Sequence, residues 1–267
     1  MLDRFNREIS YLRISVTDRC NLRCEYCMPE EGIELIDRKD ILSLEEIAEV
    51  VKVGASKFGI KKIRLTGGEP LVRRGIVELV ELINNIKGIE DLSMTTNASL
   101  LSSFAEPLKK AGLKRVNISL DTLSPAKYKS ITRGGDISTV LEGIEAAKDV
   151  GLTPIKINVV RYDSSSNGDI EDLKKFCEKE NLQIRQIEKM NLRSGSFSIV
   201  RGGSGGNCTV CNRLRLMSNG YIKPCLFSNK GYNVREHGIE QAFLQALQSK
   251  PEQGGISDNH QFYNIGG

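Results

Sequence analysis

Three thiols within eight residues, Cys20-Asn21-Leu22-Arg23-Cys24-Glu25-Tyr26-Cys27, constrain this chain more than any other stretch. Spaced Cys-x3-Cys-x2-Cys, they converge on one metal centre only if the backbone wraps around it, so the fold has to deliver a loop at this point. The spacing fits an iron–sulfur cluster, whose irons are held by thiolates. A four-iron cube held by three of them keeps one iron open, and an open metal position is where a substrate or cofactor binds. A structural zinc with a distant fourth ligand, or reduced core cysteines, satisfies the same spacing.

Composition narrows the setting. With 267 residues, 39% of them hydrophobic, the chain can bury a sizeable core as one large α/β domain or a domain with an appendage. Its seven cysteines are odd in number and clustered, and residues 1–8 are charged without the apolar stretch of a signal peptide. The expectation is a reducing cytoplasm, in which the cysteines are metal ligands before they are disulfides. No run approaches the roughly 20 apolar residues of a membrane span. A net charge of +4 is too mild to imply nucleic acid and suits a small anion. With only His237 and His260, histidine base chemistry and histidine-rich zinc sites are poorly supplied.

Short strand-like runs alternate with helix-like ones. Strands are expected at 11–16, 61–66, 90–96, 115–120, 154–160 and 183–188. Helices are expected near 43–58, 75–86, 101–111, 138–150 and 169–180. Ser43 with Glu46 reads as a capping box, and Ser124-Pro125 as another helix start. Six strands separated by helices, with no hairpin signal between them, predict a parallel sheet of right-handed βαβ units. The fold class expected is α/β, a partial (β/α)6 TIM-like barrel with a small C-terminal cluster-bearing appendage. Residues 1–190 would form the barrel and 191–267 the appendage. In such barrels the chemistry gathers at the C-terminal strand ends.

Those ends carry the polar motifs. Gly67-Gly68-Glu69-Pro70 follows the second strand, and two glycines let peptide groups come close to a bound small molecule, although a tight βα turn needs no more than this. A second thiol group, Cys208-Thr209-Val210-Cys211 with Cys225, again supplies three ligands; a zinc ribbon lacking its fourth is the rival reading. Cys177 lies on a helical stretch and reads as a small buried apolar residue. Arg13, Lys62, Arg64 and Arg185 alternate with apolar neighbours inside strands, where a lone charge is costly unless it lines a polar cavity or is paired. Several converging on one interior suit a polyphosphate; salt bridges to nearby carboxylates are the alternative.

Taken together, residues 11–29 and 62–74 resemble the radical S-adenosylmethionine superfamily and, within it, the GTP 3′,8-cyclases of molybdenum cofactor biosynthesis. The resemblance covers about residues 8–190 and then the second cysteine group. It implies a lyase with two [4Fe–4S] clusters, one held by Cys20, Cys24 and Cys27 and the other by Cys208, Cys211 and Cys225. S-adenosylmethionine would bind the first cluster's open iron, with Gly67, Gly68 and Glu69 at its methionine part and Tyr26, Thr95, Asn97, Ser119, Lys156 and Met190 around the cofactor. Arg13, Lys62, Arg64 and Arg185 would hold the triphosphate of GTP, and Arg213 and Arg215 would lie near guanine. Implied partners are an electron donor such as flavodoxin or ferredoxin and, transiently, the next enzyme of the pathway; a homodimer is compatible. The tail Ile265-Gly266-Gly267 matches one that threads into the active site of such enzymes.

The chain departs from that pattern in the bridge between Met190 and Cys208, which is shorter than usual and contains the linker-like Arg201-Gly202-Gly203-Ser204-Gly205-Gly206. It reads as a minimal natural loop or an engineered shortening, and either changes how the second group docks. Two other functions remain open at this point: a related two-cluster enzyme acting on a peptide or another cofactor, and a non-catalytic module holding zinc.

Overall fold

The structure, a computed structural model, describes residues 1–162, 167–191 and 194–257. Six strands recur with helices between them: β1 (Tyr11–Ser15), β2 (Lys62–Thr66), β3 (Asp91–Thr96), β4 (Arg115–Ser119), β5 (Lys156–Arg161) and β6 (Gln183–Glu188). The intervening helices are α1 (Leu44–Phe58), α2 (Ile76–Asn84), α3 (Leu101–Lys110), α4 (Pro125–Thr132), α5 (Ile137–Asp149) and α6 (Asn167–Lys179). Each of the six strands runs parallel to the next, as the missing hairpin signals predict.

The local signals act as read. Ser43 accepts from the Glu46 N–H while Glu46 accepts from the Ser43 N–H at 2.7 Å, closing the capping box of α1. Ser124 caps α4, whose first residue is Pro125.

Residues from 191 onward were expected to form an appendage; what they add to the sheet had no sequence reading. They contribute β7 (Arg213–Leu216), β8 (Tyr221–Lys223), β9 (Tyr232–Asn233), the short α7 (Val234–His237) and α8 (Ile239–Gln248). β7 pairs parallel with β1, on the side opposite β2, and β8 and β9 follow antiparallel. Among the described residues the sheet thus has nine strands, in the order β6-β5-β4-β3-β2-β1-β7-β8-β9.

Strand parity divides the sheet into two chemistries. Leu12, Ile14, Ile63, Leu65, Val116, Ile118, Ile157, Val159, Leu214 and Leu216, each at most 1% exposed, belong to one continuous core with the helices. The opposite face of the sheet carries polar residues: Arg13, Arg64, Thr95, Ser119, Asn158, Arg185, Arg213 and Arg215. Arg13 on β1, Arg185 on β6 and Arg213 on β7 line one cavity, so the sheet curls around its polar face as a partial barrel. α8 joins the outer helical layer through Phe243, stacked on Phe58 with ring centroids 4.8 Å apart. No helix among the described residues is long and apolar enough to cross a membrane.

Candidate functional site

The first cysteine group leaves β1 as a loop that the fold holds at several points. Cys27 N–H and Met28 N–H both donate to the Cys24 carbonyl, at 2.9 and 3.0 Å, closing a turn between the second and third cysteines. The end of α4 receives the loop: Arg23 and Glu25 N–H donate to the Thr132 and Ile131 carbonyls, and Arg133 donates to the Arg23 and Met28 carbonyls.

The Gly-Gly turn supports the loop from the other side. Gly68 N–H donates to Thr17 O and Glu69 N–H to Arg19 O, both at 2.8 Å. A Cβ on Gly68 would stand 2.2 Å from the Arg19 carbonyl oxygen and one on Gly67 2.6 Å from that of Thr17. The glycines therefore serve first to let this turn lie against the backbone that leads into the cysteines, a reason the sequence reading lacked.

Cys20, Cys24 and Cys27 face a cavity of about 190 Å³ with Tyr26, Gly67, Gly68, Glu69, Thr95, Asn97, Ser119 and Met190, the predicted cofactor residues apart from Lys156. Glu69 is 1% exposed and accepts from Leu71 N–H, Thr96 Oγ1 and Asn97 N–H at 2.7–3.0 Å. Burial still pushes its pKa up to about 7, because three neutral donors do not replace a cation. Burial likewise raises Cys24 and Cys27 to about 12, with Cys27 and Asp121 adding to the effect at Cys24. Such thiols give up their protons only to a cation, as metal ligation provides. The hydroxyl of Thr95 is buried without a partner, so the pocket offers an unused hydrogen bond. Three partly buried free thiols, an anion wanting a cation and an unsatisfied hydroxyl fit a cluster with a polar, cationic cofactor beside it.

The second group lines a neighbouring cavity of about 200 Å³: Cys208, Cys211 and Cys225 with Tyr11, Arg13, Arg64, Arg185, Arg213 and Arg215. Cys211 N–H donates to the Cys208 carbonyl at 3.2 Å, and the loop is closed by Asn207, whose side chain accepts from Thr209. Here burial of the Cys211 thiol is outweighed by Lys250, a backbone N–H and the arginines, which bring its pKa below the ordinary value.

The basic residues sort by their partners. Arg115 is neutralised by a two-pronged ion pair with Asp91 at 2.6 and 2.9 Å. Arg64, Arg185 and Arg213 have no such carboxylate among the described residues, and the buried Nε–H groups of Arg185 and Arg213 lack an acceptor. Arg64 and Arg213 each hold the guanidinium 5.6 Å from the Tyr11 ring. Burial lowers the pKa of Arg64, and lowers that of Arg215 to about 10 with Arg213 adding to it. Crowding this many guanidiniums into one cavity is tolerable when an anion fills it.

Two predicted residues lie outside both linings. Lys62 heads β2 and is exposed; its register partner is Tyr11, which lines the arginine cavity. Lys156 also heads its strand; burial lowers its pKa, with the charges of Arg185, Arg115 and Arg64 adding to the effect and that of Asp91 opposing it. It therefore lies with the arginine layer, while Asn158, two residues further along, reaches the cofactor cavity. The 258–267 tail, with Ile265, Gly266 and Gly267, lies outside the described residues, as do Leu192 and Arg193 of the bridge. Sequence reasoning missed Tyr11 and Asn158, both visible in hindsight as polar residues in phase with Arg13 and Lys156. It also missed Phe197, Ile187 and Lys250, which carry no sequence signal.

Asn158, Ile187 and Met190 line both cavities, so the cavities of the two thiol groups adjoin.

Comparison with known proteins agrees with this geometry. Residues 14–177 match the model of the radical SAM superfamily. A protein of Alkaliphilus oremlandii named GTP 3′,8-cyclase is 43% identical, with 100% of this chain and 98% of that protein aligned. One of Listeria monocytogenes with the same name is 41% identical over 94% of this chain and 90% of its own length. The first alignment is 315 positions long against a chain of 267, so that relative carries about 48 residues without counterpart here. Among solved structures, Streptococcus suis SuiB bound to S-adenosylmethionine superposes with a TM-score of 0.67 at 18% identity, over 92% of this chain and 66% of its own. Native anSMEcpe with bound AdoMet gives 0.65 at 16% identity, over 91% and 81%. These last two establish the partial-barrel fold. By domain match and by full-length identity, the chain belongs to the radical SAM superfamily, in the family of the GTP 3′,8-cyclases.

Proposed function

We propose that this chain converts GTP to 3′,8-cyclo-7,8-dihydro-GTP, the first step of molybdenum cofactor biosynthesis, with two [4Fe–4S] clusters and S-adenosylmethionine. The observation that carries the reading is a pair of adjoining cavities, each lined by one thiol triad, with Arg64, Arg185 and Arg213 in the second having no carboxylate partner among the described residues. Cys20, Cys24 and Cys27 would hold the first cluster, which with S-adenosylmethionine would supply one-electron radical chemistry, the protein providing orientation and electrostatics.

The chain's own residues then do the positioning. Glu69 takes the methionine ammonium, the cation its burial calls for, while Thr95, Asn97 and Ser119 give hydrogen bonds to the cofactor. Arg13, Arg64 and Arg185 receive the triphosphate, and Arg213 and Arg215 orient guanine toward Cys208, Cys211 and Cys225. Met190, Ile187 and Asn158 sit where the cofactor cavity meets the substrate cavity, and the apolar pair keeps water from the radical. The substrate carbon and the hydrogen-accepting carbon are thereby brought together, and a unimolecular reaction replaces an encounter. An external one-electron donor of flavodoxin or ferredoxin type completes the cycle, in a reducing cytoplasm that suits seven free thiols.

The test is anaerobic reconstitution, then incubation with S-adenosylmethionine, dithionite and GTP, followed by mass spectrometry. 5′-Deoxyadenosine together with a cyclised guanosine triphosphate is the expected result. Deoxyadenosine with GTP unchanged would keep the radical chemistry and refute the substrate.

A further inference from the structure

We propose that the buried ammonium of Lys250 sets the reduction potential of the second cluster, holding it less negative than the three thiolates alone would make it, by donating to Cys211. This rests on reading Cys208, Cys211 and Cys225 as cluster ligands. Lys250 follows α8, is 2% exposed, and uses its donors on three acceptors. Two are backbone carbonyls, Arg213 O at 2.7 Å and Pro224 O at 2.8 Å; the third is Cys211 Sγ at 3.6 Å. Arg213 lies two residues beyond Cys211, and Pro224 immediately precedes Cys225, so one side chain brackets both arms of the thiol group.

Bracketing two carbonyls needs no charge, since a neutral amide would satisfy them. A buried ammonium is costly unless an anion faces it. Among the described residues no carboxylate pairs with Lys250; the charges acting on it are those of Cys211 and Cys225, which favour the ammonium, and of Arg7, which opposes it. The thiolates are therefore its counter-ions. Arg7 has its own, Asp3 at 2.7 Å, and spends its remaining donors on the carbonyls of Cys208, Pro251 and Glu252, fixing the loop and the segment after Lys250 to the N-terminal turn.

The first thiol group has different surroundings. Among the described residues Cys20 Sγ accepts from neutral donors, Leu22 N–H at 3.4 Å and Asn97 Nδ2 at 3.9 Å; the carboxylates of Glu69 and Asp121 oppose charge on that group, and the cation that favours it, Arg23, is exposed rather than buried against a sulfur. A cluster held by three thiolates is negative and becomes more so on reduction, and its potential follows nearby charge and hydrogen bonds to sulfur. A cation fixed against a ligating sulfur stabilises the reduced form, whereas carboxylates oppose it. The two clusters are thus inequivalent by construction, the second being the more readily reduced.

The experiment uses the full chain with Cys20, Cys24 and Cys27 replaced by Ala, which leaves one cluster, and adds Lys250→Gln or Lys250→Arg. After anaerobic reconstitution, the electron paramagnetic resonance signal of the reduced cluster is followed in a potentiometric titration. The expected result is a midpoint shifted to more negative potential by K250Q and returned toward the parent value by K250R. An unshifted midpoint in K250Q overturns the proposal and leaves the two-cluster reading standing. A parent variant that holds no iron and sulfide overturns that reading, and the proposal with it. Should K250Q fold by circular dichroism but load no cluster, restored loading in K250R supports the required cation, and failure of both overturns it.

Discussion

Glu69→Gln separates a buried charge from the hydrogen bonds that surround it. A carboxyl group moved from an ordinary 4.5 to about 7 by burial costs the folded state about 3 kcal/mol once both folded and unfolded forms are ionised, at about 1.4 kcal/mol per tenfold change in proton affinity. The folded protein holds its proton more tightly than the unfolded chain. Stability is therefore unaffected by this group below pH ~4, falls as pH rises between the unfolded and folded pKa, and is level again above pH ~8. Roughly 2 to 3 kcal/mol of that loss falls between pH 5 and 8. Gln keeps the oxygen that accepts from Leu71 and Thr96 but places an NH2 where Asn97 N–H donates, a fixed penalty of about 1–3 kcal/mol that does not depend on pH. The assay is guanidinium denaturation of the metal-free protein at pH 5 and pH 8. The difference in unfolding free energy between wild type and E69Q should move by roughly 2 to 3 kcal/mol in favour of E69Q at the higher pH. A difference that is the same at both pH values would refute the buried, cation-seeking carboxylate on which the cofactor assignment rests.

Other consequences are as direct. Cys208→Ala should halve the iron content while leaving S-adenosylmethionine cleavage by dithionite, and should abolish the guanosine product; unchanged iron would contradict the second ligand set. With Arg185 at the triphosphate as proposed, Arg185→Ala should cost one charge-assisted hydrogen bond, about 1.5–3 kcal/mol or roughly 10- to 100-fold in GTP affinity by calorimetry, with guanosine affinity unmoved. Equal losses for both ligands would remove Arg185 from the triphosphate. Gly68→Ala puts a Cβ 2.2 Å from a backbone oxygen that cannot swing away, so the loop before Cys20 must shift. First-cluster iron and S-adenosylmethionine binding should fall with the second cluster intact, and normal loading would show that the turn does not set the loop.

Much of the barrel was legible because its strands have two unlike faces. A run such as Tyr11-Leu12-Arg13-Ile14-Ser15 states its parity, and the motifs at its end mark the top of the sheet. The C-terminal strands were not read, although Arg213-Leu214-Arg215-Leu216 has the same alternation, because four residues are too short to claim a place in a sheet without knowing the partner. That partner, β1, lies some two hundred residues earlier. Lys62 and Lys156 lie outside both cavity linings for a related reason: parity says which face a side chain takes, but height along the strand decides whether it meets solvent, arginines or cofactor. Lys250 was invisible because a lone lysine after a helix usually points to water, and only tertiary structure shows the thiol beside it.

The central claim is that a radical made at the first thiol group reaches a ribose held between the two. GTP carrying deuterium at the ribose 3′ carbon tests it in one turnover assay, with the 5′-deoxyadenosine analysed by mass spectrometry. The account predicts that deoxyadenosine gains one deuterium as the cyclised product forms. Deoxyadenosine free of deuterium would mean that GTP does not lie where the adjoining cavities put it.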